Sequence, residues 1–175
     1  MGADRTQDPA RQVSAYRIPD GMRLAYLADH PALLPQLAEL HFAEWGRLRP
    51  DETLRGRTLR LGNCCGRGSI PMVVVAVRGD ELCGSAMLVA QDMETRPDLT
   101  PWLAGVYVTP PYRRRGLGSA LVERIVSEAA SLRVPTLFLY TSGAESLYAR
   151  LGWTVLDRCK YRGIDVTVMA KQIAS

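Results

Sequence analysis

Apolar residues recur at helical spacing in several parts of this sequence. The spacing predicts amphipathic helices over 31–48 and 116–132, and shorter helices over 51–61 and 144–151. The helix over 116–132 has an apolar stripe on one side and a polar stripe on the other. We therefore expect one side of this helix to pack on a core.

Short apolar or alternating segments predict β-strands between these helices. They lie at 22–28, 70–77, 81–90, 102–108, 136–140, 153–158 and 164–170. The Gly-Asp pair at 79–80 marks a hairpin, and the nearly continuous apolar run over 102–108 predicts a strand that is covered on both faces. The order of elements predicts a mixed α/β fold in which helices follow a run of antiparallel strands.

Composition limits the class of protein. The chain has 175 residues, of which 47% are hydrophobic and 23% are charged, so it has the length and composition of one globular domain. We expect a loose tail over 1–20 and a single domain over 21–175. No apolar run reaches the roughly 18 residues that a membrane helix needs, and we expect no membrane partner.

The charge balance favours binding of anions. The net charge is +4, and 22 basic residues include only two lysines, Lys160 and Lys171. Arginine pairs with phosphate through a planar fork. The sequence lacks the interleaved basic and aromatic residues of a nucleic-acid interface, so we expect no nucleic-acid partner.

The cysteines do not have the spacing of a metal or redox site. They stand at positions 64, 65, 83 and 159, which predicts reduced thiols and no metal. Residues 1–14 lack the apolar segment of a secretory signal. Together these features predict a cytoplasmic protein.

One segment combines the features of an anion site. The predicted strand over 102–108 is followed by a turn, three arginines and the beginning of a helix that contains Gly116 and Gly118. The first turn of a helix has free N–H groups and the positive end of the dipole, and glycines let a ligand approach the backbone. The segment therefore predicts a cradle for a pyrophosphate. A dinucleotide-binding G-x-G-x-x-G motif is excluded because Leu121 stands at its third glycine, and no Walker A motif occurs.

Two ordered motifs in this part of the chain resemble those of the GNAT superfamily of N-acetyltransferases. The segment VYVTPPYRRRGLGSAL over 106–121 resembles the family's [Q/R]-x-x-G-x-[G/A] motif, with Arg113, Gly116 and Gly118 on the defined positions. The segment AESLYARLGW over 144–153 resembles the family's A-x-x-L-Y-x-x-x-G-[F/W] segment. The resemblance implies a fold of the α+β type, with a mixed, mostly antiparallel sheet of six to seven strands and about four helices.

The resemblance also implies an acetyl-CoA site. The backbone after the arginines would hold the CoA pyrophosphate, and the pantetheine arm would lie between diverging fourth and fifth strands. The implied CoA-binding residues are Val106, Tyr107, Val108, Arg113, Arg114, Arg115, Gly116, Leu117, Gly118 and Ser119. A backbone N–H near Val106 would stabilise the developing oxyanion.

The resemblance assigns the general acid to Tyr148. A phenol with a pKa of about 10 can donate a proton to the CoA thiolate as it leaves. The general base is left open, because the strand over 102–108 lacks the glutamate of some family members. Candidates are Asp98 and Glu94, and also Asp92, acting directly or through water. Alternatively these carboxylates form an acidic rim that attracts a cationic substrate.

The expected reaction is direct attack of a primary amine on the thioester of acetyl-CoA. The acceptor, a small molecule or a peptide, cannot be read from the sequence, and a homodimer is an expectation from similar proteins. The alternative is a regulatory or interaction module that binds acyl-CoA without turnover.

Overall fold

The computed structural model describes residues 18–173. Seven strands form one sheet in the order β1-β2-β3-β4-β5-β7-β6. The strands are β1 Arg23–Tyr26, β2 Met72–Arg78, β3 Glu81–Val89, β4 Trp102–Val108, β5 Thr136–Thr141, β6 Thr154–Tyr161 and β7 Ile164–Gln172. The helices are α1 Leu34–Trp45, α2 Leu54–Gly62, α3 Leu117–Ser131 and α4 Glu145–Arg150. The mixed α/β order that the sequence predicts is confirmed.

All neighbouring strands are antiparallel except β4 and β5. These two run parallel, and their register consists of a single residue pair, Trp102 with Phe138. The Phe138 N–H donates to the Pro101 carbonyl at 3.1 Å at the beginning of the pair. Beyond this point the two strands diverge, and a gap opens toward their carboxyl ends.

Helices cover both faces of the sheet. Successive side chains of a strand point to opposite faces, and in β2 before Arg78 the side chains on both faces are apolar. Met72, Val74 and Ala76 of β2 belong to the core under α3. The residues between them, Val73, Val75 and Val77, pack in a second core with residues of α1 and α2. Every residue of β2 before Arg78 is buried, as its continuous apolar run predicts.

The predicted elements are present, with local differences in their bounds and burial, of which three bear on the site. Within the segment over 31–48 the α-helix is confined to α1 and has a 3₁₀ turn on each side. In the next segment α2 begins at Leu54, because the Thr53 hydroxyl caps it by accepting from the Gly56 N–H at 3.0 Å. β4 has the predicted bounds, but Val106 and Val108 are only partly buried. Cover on both faces is therefore wrong for the second half of β4, where β5 has diverged.

The predicted tail over 1–20 lies largely outside the described residues. In residues 18–173 no helix is long and apolar enough to cross a membrane. The cysteines of this part of the chain are free thiols.

Candidate active site

The gap between β4 and β5 contains a cavity of about 520 Å³. β4 contributes Leu103–Val106 to its wall, and β5 contributes Tyr140 and Thr141. His41 and Trp45 from α1 and Tyr148 from α4 also line the cavity. A more open cavity of about 740 Å³ lies between the beginning of α4 and the β6–β7 hairpin, and it contains neither Tyr148 nor β4. The arrangement of titratable and backbone groups points to the first cavity as the reaction site.

β4 has a bulge where it borders the cavity. The register with β3 shifts between Ser85 and Met87, so that Gly105 and Val106 have no paired residue on β3. Gly105 has a φ of +56°, and a Cβ atom at this position would lie 2.7 Å from the Met87 Sδ. Glycine suits this position, because a φ of +56° strains other residues and a Cβ atom would force the side chain of Met87 to shift.

A buried pair of side chains fixes the orientation of this bulge. The Ser85 hydroxyl donates to the Gly105 carbonyl at 3.0 Å, and His41 Nε2 lies 2.8 Å from the same hydroxyl oxygen. The hydroxyl has one hydrogen, so His41 Nε2 must be the donor in the second bond. Burial, and after it the charge of Arg57, lowers the pKa of His41 to about 3, so the ring is neutral. In a planar trans peptide the N–H points opposite to the C=O. The Val106 N–H therefore points away from β3 and toward the gap.

The turn after β4 is anchored to the β2–β3 hairpin. The Thr109 N–H and hydroxyl both donate to the Cys83 carbonyl, at 2.9 Å and 3.1 Å. The Tyr112 hydroxyl donates to the Glu81 carboxylate at 2.7 Å. These bonds hold residues 113–116, the arginine–glycine loop, at the amino end of α3 and at the edge of the sheet where β4 ends.

The loop presents backbone rather than side chains. Arg114 and Gly116 have positive φ angles of 59° and 84°. Gly116 is the N-cap of α3 and offers no side-chain cap, so the first N–H groups of the helix are free for an anion. A Cβ atom at Gly116 would meet nothing within 4 Å, and one at Gly118 would meet only Val108 Cγ2 at 3.7 Å. The space in front of the helix end is open.

The three arginines do not have equivalent positions. The Arg113 Nε donates to the Val108 carbonyl at 2.9 Å, and its guanidinium lies 5.7 Å from the centre of the Tyr107 ring. Arg114 and Arg115 are exposed. Arg113 therefore fixes the end of β4, whereas Arg114 and Arg115 extend from the loop where an anion would approach.

Tyr148 of α4 lines the cavity and is almost fully buried. The residue is 8% exposed, and its ring packs edge-on against Trp153 with 6.1 Å between ring centres. The turn after α4 holds both residues, because the Trp153 N–H donates to the Tyr148 carbonyl at 3.1 Å. Burial raises the pKa of Tyr148 to about 12, with no contribution from a charged or hydrogen-bonded neighbour among the described residues. The phenol is thus protonated at any working pH.

The carboxylates of the β3–β4 connection are in three different environments. Asp98 is exposed and paired with Arg96, and this hydrogen bond lowers the pKa of Asp98. Glu94 is paired with Arg162 at 2.8 Å. Neither of them lines the cavity, whereas Asp92 does. Burial raises the pKa of Asp92 to about 6, although three arginines act in the opposite direction. Of the three carboxylates expected at the rim, only Asp92 lines the cavity, whereas Glu94 and Asp98 lie outside it and are each paired with an arginine.

A family model decides the class of this fold. Residues 70–155 match the model of the acetyltransferase (GNAT) domain. The chain contains a GNAT acetyltransferase domain. The match extends from just before β2 into β6, and so it includes the arginine–glycine loop, the cavity walls of β4 and β5, and Tyr148. The resemblance found in the sequence is confirmed.

Solved structures share the fold of this GNAT domain over most of their length. An aminoglycoside 6'-N-acetyltransferase complexed with coenzyme A is 19% identical, with a TM-score of 0.68, over 87% of this chain and 98% of that chain. The protein yncA from Salmonella typhimurium, solved with its cofactor acetyl-CoA, is 19% identical, with a TM-score of 0.67, over 89% of this chain and 95% of that chain. An aminoglycoside 6'-N-acetyltransferase from Enterococcus faecium is 19% identical, with a TM-score of 0.67, over 87% and 98%. These likenesses show that the expected fold is present, and its sheet has seven of the expected six to seven strands.

Sequence reasoning missed part of this site. The Ser85 hydroxyl lies inside a strand whose apolar pattern gave no reason to single it out. For His41 and Trp45 the sequence favours a surface or satisfied histidine and a packing tryptophan, although the family resemblance implies that their helix borders the acceptor site. Arg49, Arg57 and Arg162 line the cavity but come from separate parts of the chain, and only the fold brings them together.

Proposed function

We propose that this GNAT domain transfers the acetyl group of acetyl-CoA to a primary amine by direct attack. The observation that carries the proposal is the cavity between β4 and β5, where Val106, Tyr148 and Asp92 line one space. The open backbone at the amino end of α3 lies beside the same strand. Acetyl-CoA would supply the activated acetyl group, and the residues of the loop and the cavity would bind it and catalyse its transfer.

The loop residues would hold the cosubstrate. The free N–H groups from Leu117 to Ser119 fit a diphosphate, because the dipole of α3 adds to their hydrogen bonds. Gly116 and Gly118 leave the space that a diphosphate needs. Arg114 and Arg115 would pair with phosphate oxygens from the solvent side.

The cavity residues would carry the chemistry. Asp92 accepts a proton from the amine, whose nitrogen forms a bond with the thioester carbon. The Val106 N–H donates to the carbonyl oxygen as negative charge develops. The carbon–sulfur bond breaks, and Tyr148 gives its proton to the leaving sulfur, with the Tyr148 hydroxyl then re-protonated from solvent. No acyl-enzyme is needed, and burial raises the pKa of the nearby Cys64 thiol, which makes it a poor nucleophile.

Release of free CoA thiol in the presence of a panel of amines tests the proposal, with acetyl-CoA binding measured in parallel by calorimetry. We expect saturable release that depends on both substrates. Tight binding of acetyl-CoA without acetylation of any amine would instead support the acyl-CoA-binding module. A cytoplasmic location, a homodimer and the single domain over 21–175 stay predictions of the sequence.

A further inference from the structure

Arginine side chains are concentrated in the lining of the cavity. Four arginines from three separate segments line it, and only two carboxylates do so, Glu44 and Asp92. The arginines are Arg49 after α1, Arg57 and Arg60 on α2, and Arg162 in the β6–β7 turn. The arrangement is not a solvated charge run, because elements distant in sequence converge on one space.

The pairing of these arginines leaves donors free. One oxygen of Glu94 serves both Arg162, at 2.8 Å, and Arg49, at 3.5 Å. Each guanidinium has five N–H donors in a fixed fork. A single shared carboxylate oxygen cannot satisfy two such forks, so both arginines retain donors for a further anion.

Among the described residues Arg57 likewise has fewer hydrogen-bond partners than N–H donors. Its terminal nitrogen donates to the buried Glu52 carboxylate at 2.6 Å, and Arg60 pairs with the same carboxylate. The Arg57 Nε is buried and has no hydrogen-bond partner among the described residues. Burial, and after it the charge of Arg49, lowers the pKa of Arg57. An anion in the cavity would satisfy the free donor and offset the repulsion between the arginines.

On the basis of the acetyl transfer proposed above, we propose that the acceptor is a small amine that also carries a carboxylate or phosphate group, which Arg49, Arg57 and Arg162 bind. The planar forks of the arginines match the two oxygens of such a group. Asp92 lies in the same wall and is the one buried acid available for the amine end. The anionic end of the acceptor would thus meet the arginines, and its amine end would meet the Asp92 carboxyl.

The same arginines disfavour polycationic acceptors. A polyamine or an aminoglycoside would bring further N–H donors to arginines whose own donors are only partly satisfied among the described residues, and it would leave those donors without an acceptor. The solved aminoglycoside acetyltransferases share the fold of this chain, but the free arginine donors of this cavity favour a different class of acceptor.

The selectivity for charge can be measured with amines of similar size. Initial rates of CoA release are compared for γ-aminobutyrate, butylamine and putrescine, and aminopropyl phosphate distinguishes phosphate from carboxylate. We expect kcat/KM for one of the two anionic amines to exceed that for butylamine by about tenfold or more, as charge-assisted hydrogen bonds imply, with putrescine the poorest.

Arg49→Gln tests whether the arginines cause this preference. The side chain of Arg49 is 34% exposed, so the substitution is compatible with folding. The ratio of kcat/KM for the preferred anionic amine to that for butylamine should fall about tenfold, toward one. Arg47→Gln is the matched control, because it removes the same charge from the same turn, and Arg47 is exposed and does not line the cavity. Arg162→Gln provides a second variant from another segment.

The outcomes separate this inference from the proposed function. A preference for butylamine or putrescine, or a ratio that Arg49→Gln leaves unchanged, overturns the anionic acceptor while acetyl transfer stands. Loss of acetyl-CoA affinity in Arg49→Gln would assign the arginines to the cosubstrate and also overturn it. If no amine is acetylated, binding of the anionic amines to the CoA complex is measured by calorimetry. Binding that becomes weaker in Arg49→Gln supports the anion site, and absence of binding refutes it.

Discussion

Replacing Asp92 by asparagine removes the carboxylate that we propose as the general base. Burial raises the pKa of Asp92 to about 6 from an ordinary value of 3.8. A carboxyl with this pKa is about one-tenth ionised at pH 5 and about nine-tenths ionised at pH 7. General bases contribute about 10²- to 10⁴-fold to rate, so we expect kcat/KM of Asp92→Asn to fall at least about hundredfold at pH 8.

The pH dependence makes the assignment specific. The acceptor amine also titrates, but the ratio of wild-type to Asp92→Asn activity cancels its effect. We expect this ratio to rise about tenfold from pH 5 and to level off above pH 7, because only the wild type has the titrating carboxyl. CoA release between pH 5 and pH 9 gives the ratio directly. Asp98→Asn is the matched control, since Asp98 is exposed and lies outside the cavity.

Stability distinguishes loss of the base from loss of the fold. The pKa of Asp92 is higher in the folded protein than in the unfolded chain, so the folded state binds the proton more tightly. The contribution of Asp92 to stability therefore falls as the pH rises from about 4 to about 6, by at most about 3 kcal/mol. At pH 8 Asp92→Asn should have a Tm equal to or above that of the wild type. A pH-independent activity ratio, or full activity of the variant, would refute Asp92 as the base.

Three other substitutions test the remaining parts of the site. Tyr148→Phe should lower kcat about hundredfold or more with little change in Tm, because no described neighbour bonds the hydroxyl, and an unchanged kcat would remove Tyr148 as the acid. Gly118→Val should raise the Kd of acetyl-CoA at least tenfold, or about 1.4 kcal/mol by calorimetry, because its side chain would fill the space in front of the helix. The control Ala130→Val, at the exposed end of α3, should leave the Kd unchanged. Equal affinities of the two variants would contradict the assignment of the loop to CoA binding. Ser85→Ala leaves the His41 N–H and the Gly105 carbonyl unpartnered, so we expect a loss of about 1–3 kcal/mol in urea unfolding and a larger change in kcat than in KM for acetyl-CoA. A change in KM alone would separate Ser85 from the orientation of the Val106 N–H.

The loop and Tyr148 could be predicted from the sequence because each belongs to one continuous segment. A buried strand, a turn and an amphipathic helix succeed one another over 102–132, and the helix end with Gly116 follows from their order. The short helix α4 with Tyr148 is likewise defined by its own residues and by the αL glycine that ends it, Gly152. Local sequence determines local backbone conformation, and the proposed contacts of the loop with CoA are made by the backbone.

The choice among Asp92, Glu94 and Asp98 could not be made in this way. The three residues stand in one connection, and nothing in their spacing ranks them. Asp98 bonds Arg96 two residues away, but Glu94 bonds Arg162, which is 68 residues away. The environment that raises the pKa of Asp92 is likewise built by distant segments. Side chains from elements that meet only in the folded chain decide which carboxylate remains available.

The same arginines that would bind the acceptor also tune the proposed base. Arg49, Arg162 and Arg57 each lower the pKa of Asp92, against the larger effect of burial. An anionic group bound to these arginines cancels part of their charge and so raises the pKa of Asp92 further, which makes it a stronger base once the acceptor is in place. The pH dependence of kcat/KM reports the free enzyme, and that of kcat reports the complex. Both amines bring the same ammonium end to Asp92, but only γ-aminobutyrate brings an anion to the arginines. The acidic limb of the pH profile of kcat should therefore lie at higher pH with γ-aminobutyrate than with butylamine. An acidic limb of kcat at the same pH for both amines would show that the arginines and Asp92 do not act on the same acceptor.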